Sequence, residues 1–131
     1  MADPRLPRHA KRDHPQAGGE IYARFRIELE RSYTDTRRAE DYGHRLGCTV
    51  KTLTRACLAA TGQTVKQVID ARVALEAQRL LSHTDEPVAT ITGRLGFSEA
   101  TNFGKFFTRH TGATPGDFRR IHQGPSELGA S

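Results

Sequence analysis

Two stretches of this chain spell the same phrase, and that repeat leaves few folds open. Arg45-Leu46-Gly47-Cys48-Thr49 leads on to Thr61-Gly62-Gln63-Thr64, and Arg94-Leu95-Gly96-Phe97-Ser98 leads on to Thr111-Gly112-Ala113-Thr114-Pro115. In each copy a short helical pattern runs into Leu-Gly, a Ser or Thr follows two residues after the glycine, and a longer helical pattern closes on Thr-Gly. Glycine supplies the left-handed backbone that leads a chain out of a helix, and Ser or Thr accepts the orphan N–H groups that open the next one. The phrase predicts helix, tight turn, N-cap, second helix and C-cap, twice over.

The surrounding sequence fits that frame. Ile21, Phe25 and Leu29 recur every four residues, with Tyr22 and Tyr33 beside them, predicting a helix from Glu20. Thr34-Asp35-Thr36 offers caps for a short helix that carries Ala39, Tyr42 and Leu46 inward to Gly47. Thr49 caps the next helix, whose Leu53, Ala56 and Cys57 face the core and which Gly62 ends. Thr64-Val65-Lys66-Gln67 has the form of a capping box. It opens a long helix with Val65, Val68, Ile69, Val73, Ala77, Leu80 and Leu81 on one broad face. That helix reaches Ser82, a rod of about 27 Å. Thr84-Asp85-Glu86-Pro87 stops it and places Pro87 at the first position of the following helix. Val88, Ile91 and Leu95 then face inward, Ser98 caps a helix holding Phe103, Phe106 and Phe107, and Gly112 closes it. Thr114-Pro115-Gly116-Asp117 opens a last short helix that buries Phe118 and Ile121. No segment reads as a strand. The expected fold class is all-α, about seven helices, with two helix-turn-helix subdomains joined by a long linker helix. The expected organisation is a disordered basic tail or linker over 1–19, a first subdomain over 20–63, the linker helix over 64–82, a second subdomain over 83–122 and a polar tail over 123–131.

Charge narrows the partner. The chain carries 20 Lys and Arg against 15 Asp and Glu, a net charge of +5, and its pI is near 9.7. Such a balance suits a polyanion, although a solvated basic surface gives the same numbers. Cys48 and Cys57 have no CxxC or Cys/His pattern around them and read as reduced structural thiols. The six histidines (His9, His14, His44, His83, His110, His122) form no ligand spacing, so neither a metal nor a cofactor is expected. No apolar run approaches membrane-spanning length and the start carries no signal-peptide pattern, which predicts a cytoplasmic protein without a membrane partner. Arg72, Glu76 and Arg79 stand three and four apart, the spacing of intrahelical ion pairs. Phe97, Phe103, Phe106 and Phe107 stand at core spacing. Glu40-Asp41, Asp85-Glu86 and Glu99 suit helix first turns rather than acid–base catalysis.

The two copies align in register. Leu46-Gly47 meets Leu95-Gly96 at a shift of 49, whereas Leu53 meets Phe103, Cys57 meets Phe107 and Thr61-Gly62 meets Thr111-Gly112 at a shift of 50. The second copy therefore holds one more residue at the start of its second helix. Arg55 then pairs with Lys105, each two residues beyond a core position, about 200° round the helix and so facing outward. An outward cation on the second helix of a helix-turn-helix lies where the major groove of DNA would be.

Arg72-Val73-Ala74-Leu75-Glu76-Ala77-Gln78-Arg79-Leu80-Leu81, Leu95-Gly96-Phe97-Ser98, Asn102-Phe103, Phe106-Phe107, Gly112, Thr114-Pro115 and Phe118-Arg119 together resemble the AraC/XylS-type DNA-binding domain over about residues 20–121. The resemblance implies two recognition helices entering successive major-groove turns of double-stranded DNA, which lie about 34 Å apart. Carried over by position, Lys51, Thr52, Thr54 and Arg55 are the expected base-facing residues of the first recognition helix. Arg55 is the expected bidentate guanine contact. Ala100, Thr101, Asn102, Gly104 and Lys105 are their counterparts in the second. Thr36, Arg37, Arg38, Thr64, Lys66, Thr90 and Arg94 are candidate phosphate contacts. The sequence departs from the family pattern at Gly104, commonly polar, at Lys105, commonly Arg, and at Thr92-Gly93, commonly Ala-rich. A glycine inside a recognition helix costs about 1 kcal/mol relative to Ala and offers no side-chain donor, so the second unit is expected to clamp the backbone more than read bases.

The implied function is transcription regulation through sequence-specific duplex binding and RNA polymerase, with no enzymatic chemistry. The rival reading is a helical module that docks on RNA polymerase or another regulator with only non-specific DNA contact. Such domains also occur fused to repair methyltransferases that use a reactive cysteine, but no activating groups flank Cys48 or Cys57. The family implies a sensor or dimerisation domain ahead of this one; the chain reads either as a stand-alone small regulator or as the C-terminal piece of a larger one, and the linker-like tail favours the piece.

Overall fold

The computed structural model describes residues 15–130, with side chains described for 18–123. Most of the expected basic tail, including Arg5, Arg8, Lys11 and Arg12, lies outside these residues. Seven helices and no strand form among the described residues: α1 (Pro15–Ser32), α2 (Ala39–Leu46), α3 (Val50–Thr61), α4 (Val65–His83), α5 (Val88–Arg94), α6 (Ala100–Thr111) and α7 (Pro115–Ala130). The chain divides into two units, one ending at Ile69 and the other starting at Asp70, so the boundary falls inside α4. α1 starts five residues before the predicted Glu20, at a proline whose missing N–H is no loss in a first helical turn.

The first unit packs Phe25 and Leu29 of α1, Tyr42 and Leu46 of α2, Leu53, Ala56 and Cys57 of α3, and Val65, Val68 and Ile69 of α4 into one core. The Phe25 and Tyr42 rings meet edge to face at 5.4 Å. Tyr42 stays attached to water-side structure by donating to the Thr36 carbonyl at 3.1 Å, and burial pushes its pKa up to about 12. Arg24 donates to the Leu46 carbonyl at 3.2 Å, satisfying an acceptor at the end of α2. The turn after α2 is tight. Gly47 is left-handed (φ 70°), Cys48 N–H returns to the Gly43 carbonyl at 3.0 Å, and a Cβ on Gly43 would stand 2.9 Å from the Cys48 carbonyl oxygen. Gly43 is therefore required by close approach of two backbones.

The second unit repeats the turn with different filling. Gly96 is left-handed (φ 86°) and Phe97 N–H returns to the Thr92 carbonyl at 3.1 Å. Here a buried threonine occupies the place of Gly43 and ties its hydroxyl to the Val88 carbonyl at 2.9 Å. The core is aromatic. Phe97 lies 5.4 Å from Phe103 and 5.1 Å from Phe106, and Phe107 meets Phe118 edge to face at 5.2 Å. Val73, Ala77, Leu80, Leu81, Ile91 and Leu95 complete it. On α4, buried Glu76 accepts both a 2.9 Å and a 2.6 Å hydrogen bond from Arg79, with Arg72 at 3.8 Å, as the spacing predicts. Those bonds and charges hold the Glu76 carboxyl below the usual carboxylate range, against the opposing effect of burial.

Local punctuation explains the helix ends. Thr64 and Gln67 form the predicted capping box, with Gln67 N–H on Thr64 Oγ1 at 3.2 Å and Thr64 N–H on Gln67 Oε1 at 2.9 Å. Thr61, Thr84 and Thr111 share one device: each hydroxyl donates back to the carbonyl four residues earlier, at 2.8, 2.6 and 2.9 Å, and accepts the N–H two residues on. Gly62 and Gly112 then leave the helix left-handed.

The structure departs from the sequence expectation at four places. Ser98 does not cap α6: the cap is Glu99, in extended backbone and with no side-chain capping bond. The extra residue of the second copy therefore lies between Gly96 and Glu99, and it moves the serine one place outside the helix. Pro87 is the residue before α5 rather than its first member, with ψ at 150°. Ile121 is 68% exposed, because Phe118, Arg119 and Gln123 occupy the inward side of α7 and leave Ile121 outside that arc. α7 also continues to Ala130 instead of ending in a tail at Gln123. Gln123 and Arg119 are structural, donating to the Leu81 carbonyl at 3.0 and 3.1 Å and to the Thr84 carbonyl at 2.7 and 3.0 Å.

Candidate nucleic-acid interface

In the first unit α3 is held at both ends. Thr49 Oγ1 accepts the Thr52 N–H at 3.0 Å, and Gly62 N–H closes on the Leu58 carbonyl at 2.9 Å. With Leu53, Ala56 and Cys57 buried, the opposite side carries Lys51, Thr54, Arg55 and Leu58, spaced as one helical stripe. Lys51 and Arg55 are exposed and Thr54 is half-buried. Thr52 is half-buried as well, and its hydroxyl sits 3.0 Å from that of Thr49, so it serves the cap. Leu58, 46% exposed, is a member of this stripe that the sequence reading passed over, although its spacing from Lys51, Thr54 and Arg55 was the available signal.

In the second unit Ala100, Thr101, Asn102 and Lys105 are exposed on α6, and Gly104 is half-buried. Thr101, Gly104, Lys105, Thr108 and Arg109 line an open groove of about 570 Å³ with Thr114 and Pro115 at the start of α7. Ala100 and Asn102 are exposed beside it without lining it. Thr108, Arg109, Thr114 and Pro115 were not among the residues expected here. They come from the C-terminal half of the helix and from the next one, so only the folded shape joins them to Thr101 and Lys105.

The flanking candidates differ in exposure, and several already serve the fold. Thr36 donates to Asp41 at 2.6 Å and accepts the Arg38 N–H at 3.1 Å, and Arg38 stands 3.7 Å from Glu40. Arg94 is bonded to Glu86. Thr64 is occupied by its capping box. Lys66 and Thr90 are exposed, and Arg37 is half-buried. The thiols are quiet, since burial raises the Cys48 pKa and pushes that of Cys57 up to about 11, opposite to what an activated thiolate needs. No group of His, Cys, Asp and Glu among the described residues could hold a metal ion, and no described helix is long and apolar enough to cross a membrane.

Comparison with known proteins bears on these faces. The sequence profile of a family described as "Helix-turn-helix domain" matches residues 42–121, which runs from within α2 to within α7 and takes in both turns. The chain belongs to the AraC-type helix-turn-helix family. It is 34% identical over 74 residues to the HTH-type transcriptional activator RhaR of Salmonella heidelberg, a match covering 56% of this chain and 26% of that protein. RhaR of Salmonella arizonae is similar at 32% over the same length. The chain thus matches about a quarter of the length of these curated relatives. Among solved structures, an AraC-type transcriptional regulator from Chromobacterium violaceum has a TM-score of 0.71 at 19% identity, covering 81% of this chain and 95% of that one. The DNA-binding domain of AdpA, solved with a target DNA, has a TM-score of 0.69 at 24% identity, covering 87% of this chain and 97% of that one. These two share the fold. The match identifies the chain as an AraC-type helix-turn-helix domain, the kind carried by DNA-binding transcription regulators.

Proposed function

We propose that this AraC-type chain binds double-stranded DNA with sequence selectivity, in the bacterial cytoplasm, and thereby alters how RNA polymerase uses a promoter. The observation that carries this reading is the outward stripe of α3. A helix fixed by a threonine cap and a glycine exit turns Lys51, Thr54 and Arg55 away from a fully buried Leu53 and Cys57. A helix so presented fits the major groove, where Arg bonds the O6 and N7 edge of guanine in a geometry no other base matches. In this reading Arg55 is the principal base contact, Thr54 lies beside it, and Lys51 reaches a base or a phosphate. Lys66, Thr90 and Arg37 meet phosphates. Ala100, Thr101, Asn102 and Lys105 present the second unit.

Selection from a random duplex pool, followed by titration at two salt concentrations, tests the proposal. The expected result is a preferred sequence with two protected major-groove segments about 34 Å apart, bound with an affinity that falls steeply with salt. Arg55→Ala should lose roughly 1–3 kcal/mol on the preferred site and relax the choice at one base pair. Weak binding with no preferred sequence, unchanged in the Arg55 variant, would leave the protein-docking role instead.

A further inference from the structure

One contact of the second unit joins two ionisable side chains for which the DNA-binding reading has no use. Asp70, on α4 at the start of that unit, is only 5% exposed. Its Oδ2 lies 3.9 Å from Nε2 of His110, which stands in the last turn of α6 with its side chain 26% exposed. That separation is too long for a hydrogen bond, so charge alone can join the two groups. A neutral imidazole offers the carboxylate nothing across the gap. An imidazolium offers a counter-charge, and burial strengthens the attraction.

Two further features suit a charged ring at this place. The Phe106 ring lies 4.4 Å from that of His110, and the last turn of a helix attracts a cation. The other charges nearby come from four elements. On α6 the exposed Arg109 precedes His110, and on α4 the exposed Lys66 stands one turn before Asp70, while Arg72 pairs with Glu76. Of the helices packed on α6, α5 with its leading turn pairs Arg94 with Glu86. α7 pairs Arg120 with Asp117, bonds His122 to the Phe118 carbonyl, and commits Arg119 to the carbonyls that end α4.

α6 also gains from an anchor at this end. Its first turn has no side-chain cap, whereas Thr49 caps α3. The last turn of α3 holds no basic residue, and Ala60 stands there in the place of His110.

We propose that Asp70 and His110 form a proton-operated latch that fixes the end of α6 to α4, so that the second unit holds duplex DNA more tightly in mild acid than in mild base. The inference rests on the DNA-binding reading and adds a regulation to it. Histidine changes charge between about pH 5 and 8, a range in which an ordinary carboxylate stays ionised. The latch is therefore present at the acid end and is lost as pH rises through that range. Asp70 is a positioning residue, acting on the outward side chains of α6 through His110.

The test uses the full chain and the duplex recovered by selection, at about pH 6 and about pH 8 and one salt concentration. The melting temperature of the wild type should exceed that of His110→Gln by about 4 °C more at the lower pH than at the higher. Over the same fall in pH, duplex affinity should rise about threefold more in the wild type than in His110→Gln. At the higher pH the two should bind alike. Asp70→Asn should lose the same pH response, and the double variant should lose no more, as two halves of one contact. Since Asp70 is buried, its variant should also be less stable at both pH values, so only the difference between them is read, and the His110→Gln melting comparison decides the latch without it. The latch is overturned if His110→Gln follows pH as the wild type does, in melting or in binding. It is equally overturned if Asp70→Asn keeps the wild-type pH response in binding, which would make His110 a direct charge on the duplex. Absence of salt-dependent duplex binding at either pH would remove the DNA-binding reading itself, while the melting comparison would still decide whether the latch exists.

Discussion

The two units share their turns almost bond for bond and share almost none of their filling. Cys48 N–H to Gly43 O and Phe97 N–H to Thr92 O are the same backbone bond at a shift of 49, and Thr61 and Thr111 make the same hydroxyl cap at a shift of 50. Around that frame, Cys57 in the first unit stands where Phe107 stands in the second, and Ala56 where Phe106 stands. Outside, Thr54-Arg55-Leu58 is matched by Gly104-Lys105-Thr108, and Ala59 by Arg109. Helix-turn-helix geometry is set by a few hydrogen bonds and left-handed glycines. The core and the outer face are then free to change independently.

The largest test of that independence compares matched core positions. Phe107 is fully buried against Phe103 and Phe118, so Phe107→Ala should cost about 3–5 kcal/mol and open a cavity in the second unit. Cys57→Ala, at the aligned place and equally buried, removes one small group and should cost about 1 kcal/mol. Chemical denaturation of both variants gives the difference, and equal losses would show that the two cores tolerate change alike.

The buried ionic cluster of the second unit is next. Glu76→Gln should lose about 2 kcal/mol, as expected for hydrogen bonds to a charged group. Because the folded carboxyl is held below its usual value, its contribution is present above the unfolded pKa and is lost as pH falls through the lower folded value. Acid titration of stability should therefore show a loss beginning near pH 4.5 and deepening below it, and that loss should be smaller in Glu76→Gln. Gly43→Ala probes the first unit's turn. The overlap with the Cys48 carbonyl costs about 1–3 kcal/mol and the gain in helix propensity returns about 1, leaving a net loss of about 0–2 kcal/mol. Thr92→Ala should not meet that overlap, since the second turn already accommodates a larger side chain.

These contrasts also show what the sequence could reveal. Helix number, order and exits were legible because Gly47, Gly62, Gly96 and Gly112 act locally, through the backbone conformation each must adopt. The capping box at Thr64 and the aromatic core were legible for the same reason, as spacing alone places them. The cap of α6 was not legible, because Ser98 aligns with Thr49 at a shift of 49 and Glu99 does so at 50, and only the folded turn shows where the extra residue sits. The candidate interface was legible on α3, where one helix supplies every member. It was not legible in the second unit, where Thr114 and Pro115 join Arg109 only through the packing of α7 on α6. Nor did spacing show that Arg94 is taken by Glu86, eight residues away across a helix start.

The smallest predicted effect bears most directly on how the copies diverged. Thr49 caps α3 through a 3.0 Å bond from Thr52 N–H, and Glu99, the aligned residue, makes no such bond to α6. Thr49→Ala should therefore cost about 1 kcal/mol, whereas Glu99→Ala should change stability by only a few tenths, through the charge at the helix start alone. Glu99→Ser should give α6 the cap that its extra residue displaced and stabilise the second unit by about 0.5–1 kcal/mol. Thermal melts of the three variants measure this. Equal losses from Thr49→Ala and Glu99→Ala would mean that the second copy caps α6 after all, and that the one-residue insertion left the turn unchanged.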